Sequence, residues 1–154
     1  MRFAICCSLA VTFALGARAQ GTQYVALEWA PSVTARRGAE VAVPLRFAIR
    51  SGHHINSNRP AEDYLIPTAM LWTPGALATK AVSFPKAEAV KYDFSEKPML
   101  VYSGVILVTT KFAVAADAAP GPTRVSGKLR YQACNDKACF PPKTLEVSVP
   151  VNIQ

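Results

Sequence analysis

Hydrophobic runs long enough to cross a membrane are missing from this chain of 154 residues. The apolar run near the start, from Phe3 to Leu15, is about 13 residues long, against roughly 20 for a spanning helix. Blocks of one charge are missing too. Lys and Arg number 17 against 10 Asp and Glu, a formal +7 at pH 7, yet no basic run reaches the roughly five or six residues of a polyanion site. Nucleic acid is therefore not an expected partner. Histidine is scarce: His53 and His54 are the two present. Neighbours on a strand face opposite ways, so these two do not chelate one metal together, and turn polarity or hydrogen bonding within a loop is their plainer role. Asn56 and Asn58 likewise suit turn chemistry. Neither begins a glycosylation triplet, since Asn58 and Pro60 stand where Ser or Thr is needed. There is no Ser/His/Asp arrangement, no glycine-rich phosphate loop and no paired-carboxylate motif. No stretch sustains the 3.6-residue apolar period of a helix.

The N-terminus, MRFAICCSLAVTFALGARAQ, pairs one positive charge at Arg2 with the short apolar run and an Ala17-Arg18-Ala19 step. That is the pattern of a cleaved secretory signal, expected over residues 1–19, with residues 20–154 as a single domain of 135 residues. Arg2 and Arg18 would leave with the signal, lowering the formal charge from +7 to +5. Cys6 and Cys7 would leave as well. Two cysteines, Cys134 and Cys139, then remain in an oxidising compartment, where disulfides form and persist.

Twelve prolines, eight glycines and many short Val-rich runs predict an all-β chain. Strands are expected at residues 23–29 and at 40–50, where Val41, Val43, Leu45, Phe47 and Ile49 share one face. Pro44 in that second strand lacks an amide donor, which places it at an edge or a bulge. Residues 65–72 and 81–85 follow, then a long polar and aromatic loop over 86–98. Residues 99–114, the most apolar stretch after the start, read as one or two central strands, with Gly104 a bulge or point of close approach. Residues 123–133 place Val125, Gly127, Leu129, Tyr131 and Ala133 inward, and residues 145–151 do the same with Leu145, Val147, Val149 and Val151. These last two are expected to form an antiparallel hairpin with residues 134–144 as its tip. About seven to nine strands at this spacing predict an immunoglobulin-like β-sandwich.

The tip contains YQACNDKACFPP, with Cys134 and Cys139 separated by four residues. A bridge closing so short a ring removes only about 2 kcal/mol of unfolded-chain entropy, against about 4.7 for a hundred-residue loop, so it is poorly placed to be the main staple. A loop tip also suggests the exposure that thiol exchange needs. Lys137 and Lys143 would favour a thiolate and Asp136 would oppose it, while Pro141 and Pro142 stiffen the exit from the loop. From the residues alone both a working dithiol and a small structural bridge stand. A zinc site ranks behind them because two cysteines supply half a tetrahedral shell.

The run YQACNDKACFPP followed by the strand LEVSVPV resembles the C-terminal signature of the N-terminal periplasmic domain of the thiol:disulfide interchange protein DsbD. HHINSNRPAEDYLIPT also looks like a region of that family, and the resemblance extends roughly over residues 25–151. It implies an immunoglobulin-like fold, a periplasmic location and Cys134 and Cys139 as a catalytic redox pair that needs no bound cofactor. One cysteine would form the mixed disulfide and the other resolve it; Cys139 is the expected leader. The partners implied are a membrane-embedded thiol reductase domain and periplasmic thioredoxin-like proteins, with the chain a monomer. The cysteine spacing is one residue shorter than in the best-known members. The sequence ends at Gln154 without the membrane and thioredoxin-like domains that usually follow, so the reductase is expected to act in trans.

The resemblance also gives residues 86–98 the place of a cap, a loop whose aromatic shields the cysteines until a partner displaces it. Tyr92 and Phe94 are the candidate shields and Asp93 and Glu96 the candidate acids near the site; an ordinary surface loop is the alternative. Tyr131 is expected in the core. The rival function is a non-catalytic secreted β-sandwich for binding or assembly, its disulfide tying the hairpin tip.

Overall fold

The computed structural model describes residues 22–154, so the expected signal at residues 1–19 lies outside the described residues. Twelve strands follow in chain order: β1 Val25–Trp29, β2 Val33–Ala35, β3 Glu40–Ile49, β4 His54–Asn56, β5 Ala69–Trp72, β6 Leu77–Ser83, β7 Glu88–Val90, β8 Met99–Tyr102, β9 Val105–Val114, β10 Gly121–Tyr131, β11 Ala133–Cys134 and β12 Lys143–Ile153. They form three four-stranded sheets, ordered β1-β3-β9-β6, β2-β12-β10-β5 and β11-β4-β8-β7. The first two face each other as an immunoglobulin-like β-sandwich. The small third sheet sits where β3, β8 and β10 meet their neighbours in sequence, at one end of the sandwich.

Alternation makes the core. Val43, Leu45, Phe47 and Ile49 of β3 and Ile106, Val108, Phe112 and Val114 of β9 turn inward, against Val125, Leu129 and Tyr131 of β10 and Val147, Val149, Val151 and Ile153 of β12. Each such side chain contributes about 1.5–3 kcal/mol by leaving water. The two sheets are also bonded directly. Trp72 Nε1 on β5 donates to the buried Thr110 Oγ1 on β9 at 2.9 Å, and the Trp72 ring meets Phe112 edge-on at 5.0 Å. Tyr131 is fully buried, its hydroxyl donating to Gln23 Oε1 at 2.7 Å and accepting from the Tyr24 amide at 3.3 Å.

The expected final hairpin is present, with β10 and β12 paired antiparallel from Gly121↔Ile153 to Tyr131↔Lys143. Other expectations change in detail. β3 is an interior strand, but its β1 partner ends at Arg46, so the stretch holding Pro44 is paired on one side, with β9. The missing amide therefore costs little there. The apolar stretch 99–114 is two strands in two different sheets. Gly104, at φ 62°, makes the turn between them, and its carbonyl accepts from the Ile49 amide at 2.7 Å. The strand expected from residue 65 begins at Ala69. The expected loop 86–98 contains β7, which pairs with β8 as a hairpin whose turn spans residues 91–98.

Gly127 is required for packing. A Cβ there would lie 2.6 Å from Trp72 Cε3 and 2.7 Å from the Leu71 carbonyl oxygen. Gly127→Ala is expected to lower stability by about 1–3 kcal/mol through overpacking, read as a fall in the urea midpoint with an unchanged slope.

Candidate redox site

The site begins where β10 stops. After Tyr131 the chain does not simply turn back as a hairpin tip. Gln132 steps out of the large sheet, and Ala133 and Cys134 pair with Ile55 and His54 of β4 in the small one. The Gln132 side chain holds the step in place. Its Oε1 accepts from Asn56 Nδ2 at 3.0 Å and from the Ile66 amide at 3.2 Å, while its Nε2 donates to the Phe140 carbonyl at 3.1 Å. Asn56, fully buried, also donates to the Ile66 carbonyl at 3.0 Å, and its own carbonyl accepts from Thr68 Oγ1 at 2.6 Å. The expectation of simple turn chemistry for Asn56 is thus corrected. It is a buried strand residue tying β4, the approach to β5 and the disulfide loop together. Asn58 too is held from a distance in sequence, its Oδ1 accepting from the hydroxyl of Tyr102 on β8 at 2.5 Å.

The four-residue spacing of the cysteines now has a physical reason. The Phe140 amide donates to the Ala133 carbonyl at 2.8 Å and the Asn135 amide to the Ala138 carbonyl at 2.9 Å. Asn135 Oδ1 accepts from the amides of Lys137 and Ala138, each at 2.9 Å. Residues 135–138 are therefore one tight turn closed by its own asparagine. The turn sets Cys134 directly opposite Cys139, Cα atoms 3.9 Å apart, as the close pair of a miniature hairpin, and the two are joined by a disulfide. The close pairs of an antiparallel ladder bring side chains nearest.

The two sulfurs differ in access, which corrects the expectation of an exposed tip. Cys134 is 0% exposed, because its strand is drawn into the small sheet and covered by Leu65, Met99 and Val101, with Val90 and Tyr92 packed against them. Cys139 is partly exposed and lines a cavity of about 220 Å³ with Tyr64, Leu65, Phe94, Ser95, Met99 and Gln132.

Of the expected cap residues, Tyr92 and Phe94 are brought to the cysteines. Tyr92 packs in the Cys134 cluster and stacks on His54 at 4.2 Å, with Phe94 stacked on Tyr92 at 5.5 Å. The turn is closed by the Ser95 amide and hydroxyl, both donating to the Tyr92 carbonyl at 3.1 Å, and by Lys91 Nζ donating to the Ser95 carbonyl. Asp93 and Glu96 do not line the Cys139 cavity; Glu96 lines a neighbouring one with Glu62, Tyr64 and Lys97. The first carboxylate to act on the buried side of the site is Asp136, in the turn between the cysteines. It acts on both His54 and Tyr92.

His54 is the residue that sequence reasoning passed over. It is 3% exposed, stands opposite Cys134 in the ladder, and its buried Nε2 has no hydrogen-bond partner. Burial pushes its pKa down to about 4, with Asp136 opposing the fall and His53 adding to it. The Tyr92 hydroxyl is pushed up by burial, then by Asp136 and Glu88. His53 faces away, as expected for a neighbour, stacking on Tyr24 at 4.9 Å while its Nδ1 meets the Ser51 carbonyl at 3.1 Å. Phe140 stacks on Tyr24 at 4.8 Å, and Lys143 Nζ sits 5.8 Å over the Tyr24 ring. Lys143 is thus engaged by an aromatic face, on the side of the loop where Phe140 and His53 stack, whereas the sequence suggested a thiolate as its partner. Among the described residues no three His, Cys, Asp or Glu side chains converge as a metal shell would require.

Fold and site define a class: an immunoglobulin-like sandwich bearing a disulfide, one sulfur sealed and the other at the wall of a cavity of mixed polar and apolar lining. The chain belongs to the family described as "Thiol:disulfide interchange protein DsbD, N-terminal", whose model matches residues 21–150. The chain is similar to the reduced N-terminal domain of DsbD from Neisseria meningitidis, at 25% identity over 75% of this chain and 82% of that one, TM-score 0.50. It is also similar in fold to the N-terminal periplasmic domain of ScsB from Proteus mirabilis, at 13% identity over 77% of this chain and 43% of that one, TM-score 0.51. No curated protein sequence matches it.

The buried imidazole makes stability depend on pH. Its folded pKa lies below the unfolded 6.5, so the unfolded chain takes up the proton first. The stabilisation is complete above the unfolded value and is lost as pH falls from 6.5 to about 4, a change of about 3 kcal/mol at most. Urea midpoints at neutral and acid pH are expected to fall more in the wild type than in His54→Phe.

Proposed function

We propose that this chain is a periplasmic thiol:disulfide interchange module in which Cys134 and Cys139 cycle between disulfide and dithiol. A membrane-embedded thiol reductase domain would supply electrons, and periplasmic thioredoxin-like proteins would receive them. Family membership supports the interchange chemistry. The observation that carries the residue roles is the unequal access of the two sulfurs: Cys139 lines the cavity and Cys134 is sealed.

That inequality orders the steps. A donor thiolate approaches along the cavity and attacks Cys139 Sγ in line with the disulfide. Its electron pair forms the new S–S bond, and the pair of the old bond departs on Cys134 Sγ. The donor's second thiolate then displaces Cys139, leaving the module with a dithiol and the donor with a disulfide; two electrons and two protons have moved. In the outward step the Cys139 thiolate attacks the acceptor's disulfide and Cys134 resolves the mixed species, regenerating the bridge.

Tyr92 and Phe94 act in this reading as the cap. They sit on a closed turn whose stacking on His54 holds it over the sulfurs, and a docking partner would displace the half-exposed Phe94 first. The rival is a secreted binding or assembly module with a structural bridge, and the burial of Cys134 favours it.

Trapping separates the two. Cys134→Ala is expected to accumulate mixed disulfides through Cys139 when co-expressed with periplasmic thioredoxin-like proteins, and Cys139→Ala to accumulate few. Capture by neither variant, with a reduction potential below about −300 mV as structural bridges have, would establish the rival. Phe94→Ala is expected to speed reduction of the wild-type disulfide by glutathione several-fold, followed by thiol alkylation.

A further inference from the structure

We infer that His54 is the hydrogen-bond partner of the Cys134 sulfur once the disulfide opens, holding the thiolate that leaves when Cys139 is attacked. The inference rests on the exchange reading above and assigns a second residue to the step that reading leaves unsupported. Breaking the bridge creates a charge on Cys134, which is 0% exposed and covered by Leu65, Met99 and Val101. Water does not reach it, and an unpaired thiolate in apolar surroundings is strongly disfavoured.

One buried polar group stands ready. His54 and Cys134 are opposed across the antiparallel β4–β11 pair, so their side chains leave the same face of the small sheet with Cβ atoms about 4.5–5.5 Å apart. In the disulfide form His54 Nε2 is buried and has no partner. A buried polar atom without a partner calls for an explanation such as a redox role, and here the opened sulfur would supply the partner. Tyr92 stacked on the ring at 4.2 Å fixes its plane, so Nε2 cannot simply swing out to water.

The charges around the imidazole agree with donation by a neutral ring. Asp136 from the cysteine turn and His53 from its own segment are the charged groups acting on it, and Tyr92 from the β7–β8 turn, itself acted on by Asp136 and Glu88, stacks on the ring; burial outweighs Asp136 and keeps the ring uncharged near neutral pH. Nε2–H then donates to Cys134 S⁻ without placing a cation in the core. Asp136 would repel the same thiolate, which makes the donor more necessary. When the bond at Cys139 forms, the electron pair of the old disulfide rests on Cys134 Sγ against Nε2–H. It stays there until it attacks the mixed disulfide or takes a proton from solvent as the partner leaves.

The test uses the full chain with 15N-labelled histidine, reduced by dithiothreitol. Dithiothreitol opens the bridge whether or not natural partners do, so failure of wild-type exchange with glutathione would strike the exchange reading while leaving this measurement intact. The His54 Nε2 resonance is expected to move on reduction, the His53 resonances to stay, and the His54 shift to vanish in Cys134→Ala. Reduction of His54→Phe, which keeps the ring stack and loses the donor, is expected to be about tenfold slower, the worth of one hydrogen bond. His54→Gln should recover part of the rate. An unmoved His54 resonance in the reduced wild type, which requires no variant to fold, overturns the inference; so does a His54→Phe protein that is reduced as fast as the wild type.

Discussion

The site depends on one change of partner: at Gln132 the chain leaves β10 in the large sheet and enters the small one beside β4. A long β10–β12 hairpin would on its own carry its tip out into solvent. The Gln132 side chain prevents that by pairing with Asn56 Nδ2, the Ile66 amide and the Phe140 carbonyl together. These groups are largely buried, where each polar atom left unpaired costs about 1–3 kcal/mol, so the bonds are made as a set. With them in place, Cys134 is pulled under Leu65, Met99 and Val101, and the Phe140 end of the miniature hairpin is anchored so that Cys139 faces the cavity.

The asymmetry of the cysteines follows from that anchoring, and in the proposed exchange it would give the pair a direction. A symmetric, exposed bridge offers two sulfurs to an attacking thiol, and either can leave. Here, in the proposed exchange, the approach would be to Cys139, which lines the cavity, and the departing charge would fall on Cys134, which stands opposite His54. The two aromatic layers on either side of the loop have different tasks. Tyr24, His53 and Phe140 brace its outer flank, whereas Tyr92 packs beside Cys134 and Phe94 lines the Cys139 cavity, both from a turn closed by few bonds.

Much of the sandwich was legible because alternation is a local signal. The inward faces of β3, β10 and β12 were read residue by residue, and Tyr131 was placed in the core correctly. The small sheet was not legible. Its strands β4, β7 and β11 are two or three residues long, too short for any period to show, and β4 pairs with β8 and β11 across large sequence separations. This is why residues 86–98 read as a loop, and why Asn56 and His54 read as turn polarity. The aromatic cap candidates were found through family resemblance, and the structure brings both to the cysteines. The candidate acids Asp93 and Glu96 lie on the cap turn and do not line the Cys139 cavity, whereas Asp136, on the cysteine turn, acts on His54 and Tyr92.

By itself the sequence determined the strand faces, the long final hairpin and the four-residue spacing that a closed asparagine turn needs to set two cysteines opposite each other. These rest on interactions between residues near in sequence or on simple alternation. The tertiary structure alone decided which sulfur is sealed, which histidine stands against it and which carboxylate acts on that histidine. Those outcomes depend on Gln132 carrying the chain between sheets, and so on hydrogen bonds to residues 66 to 76 positions away, which no local pattern encodes.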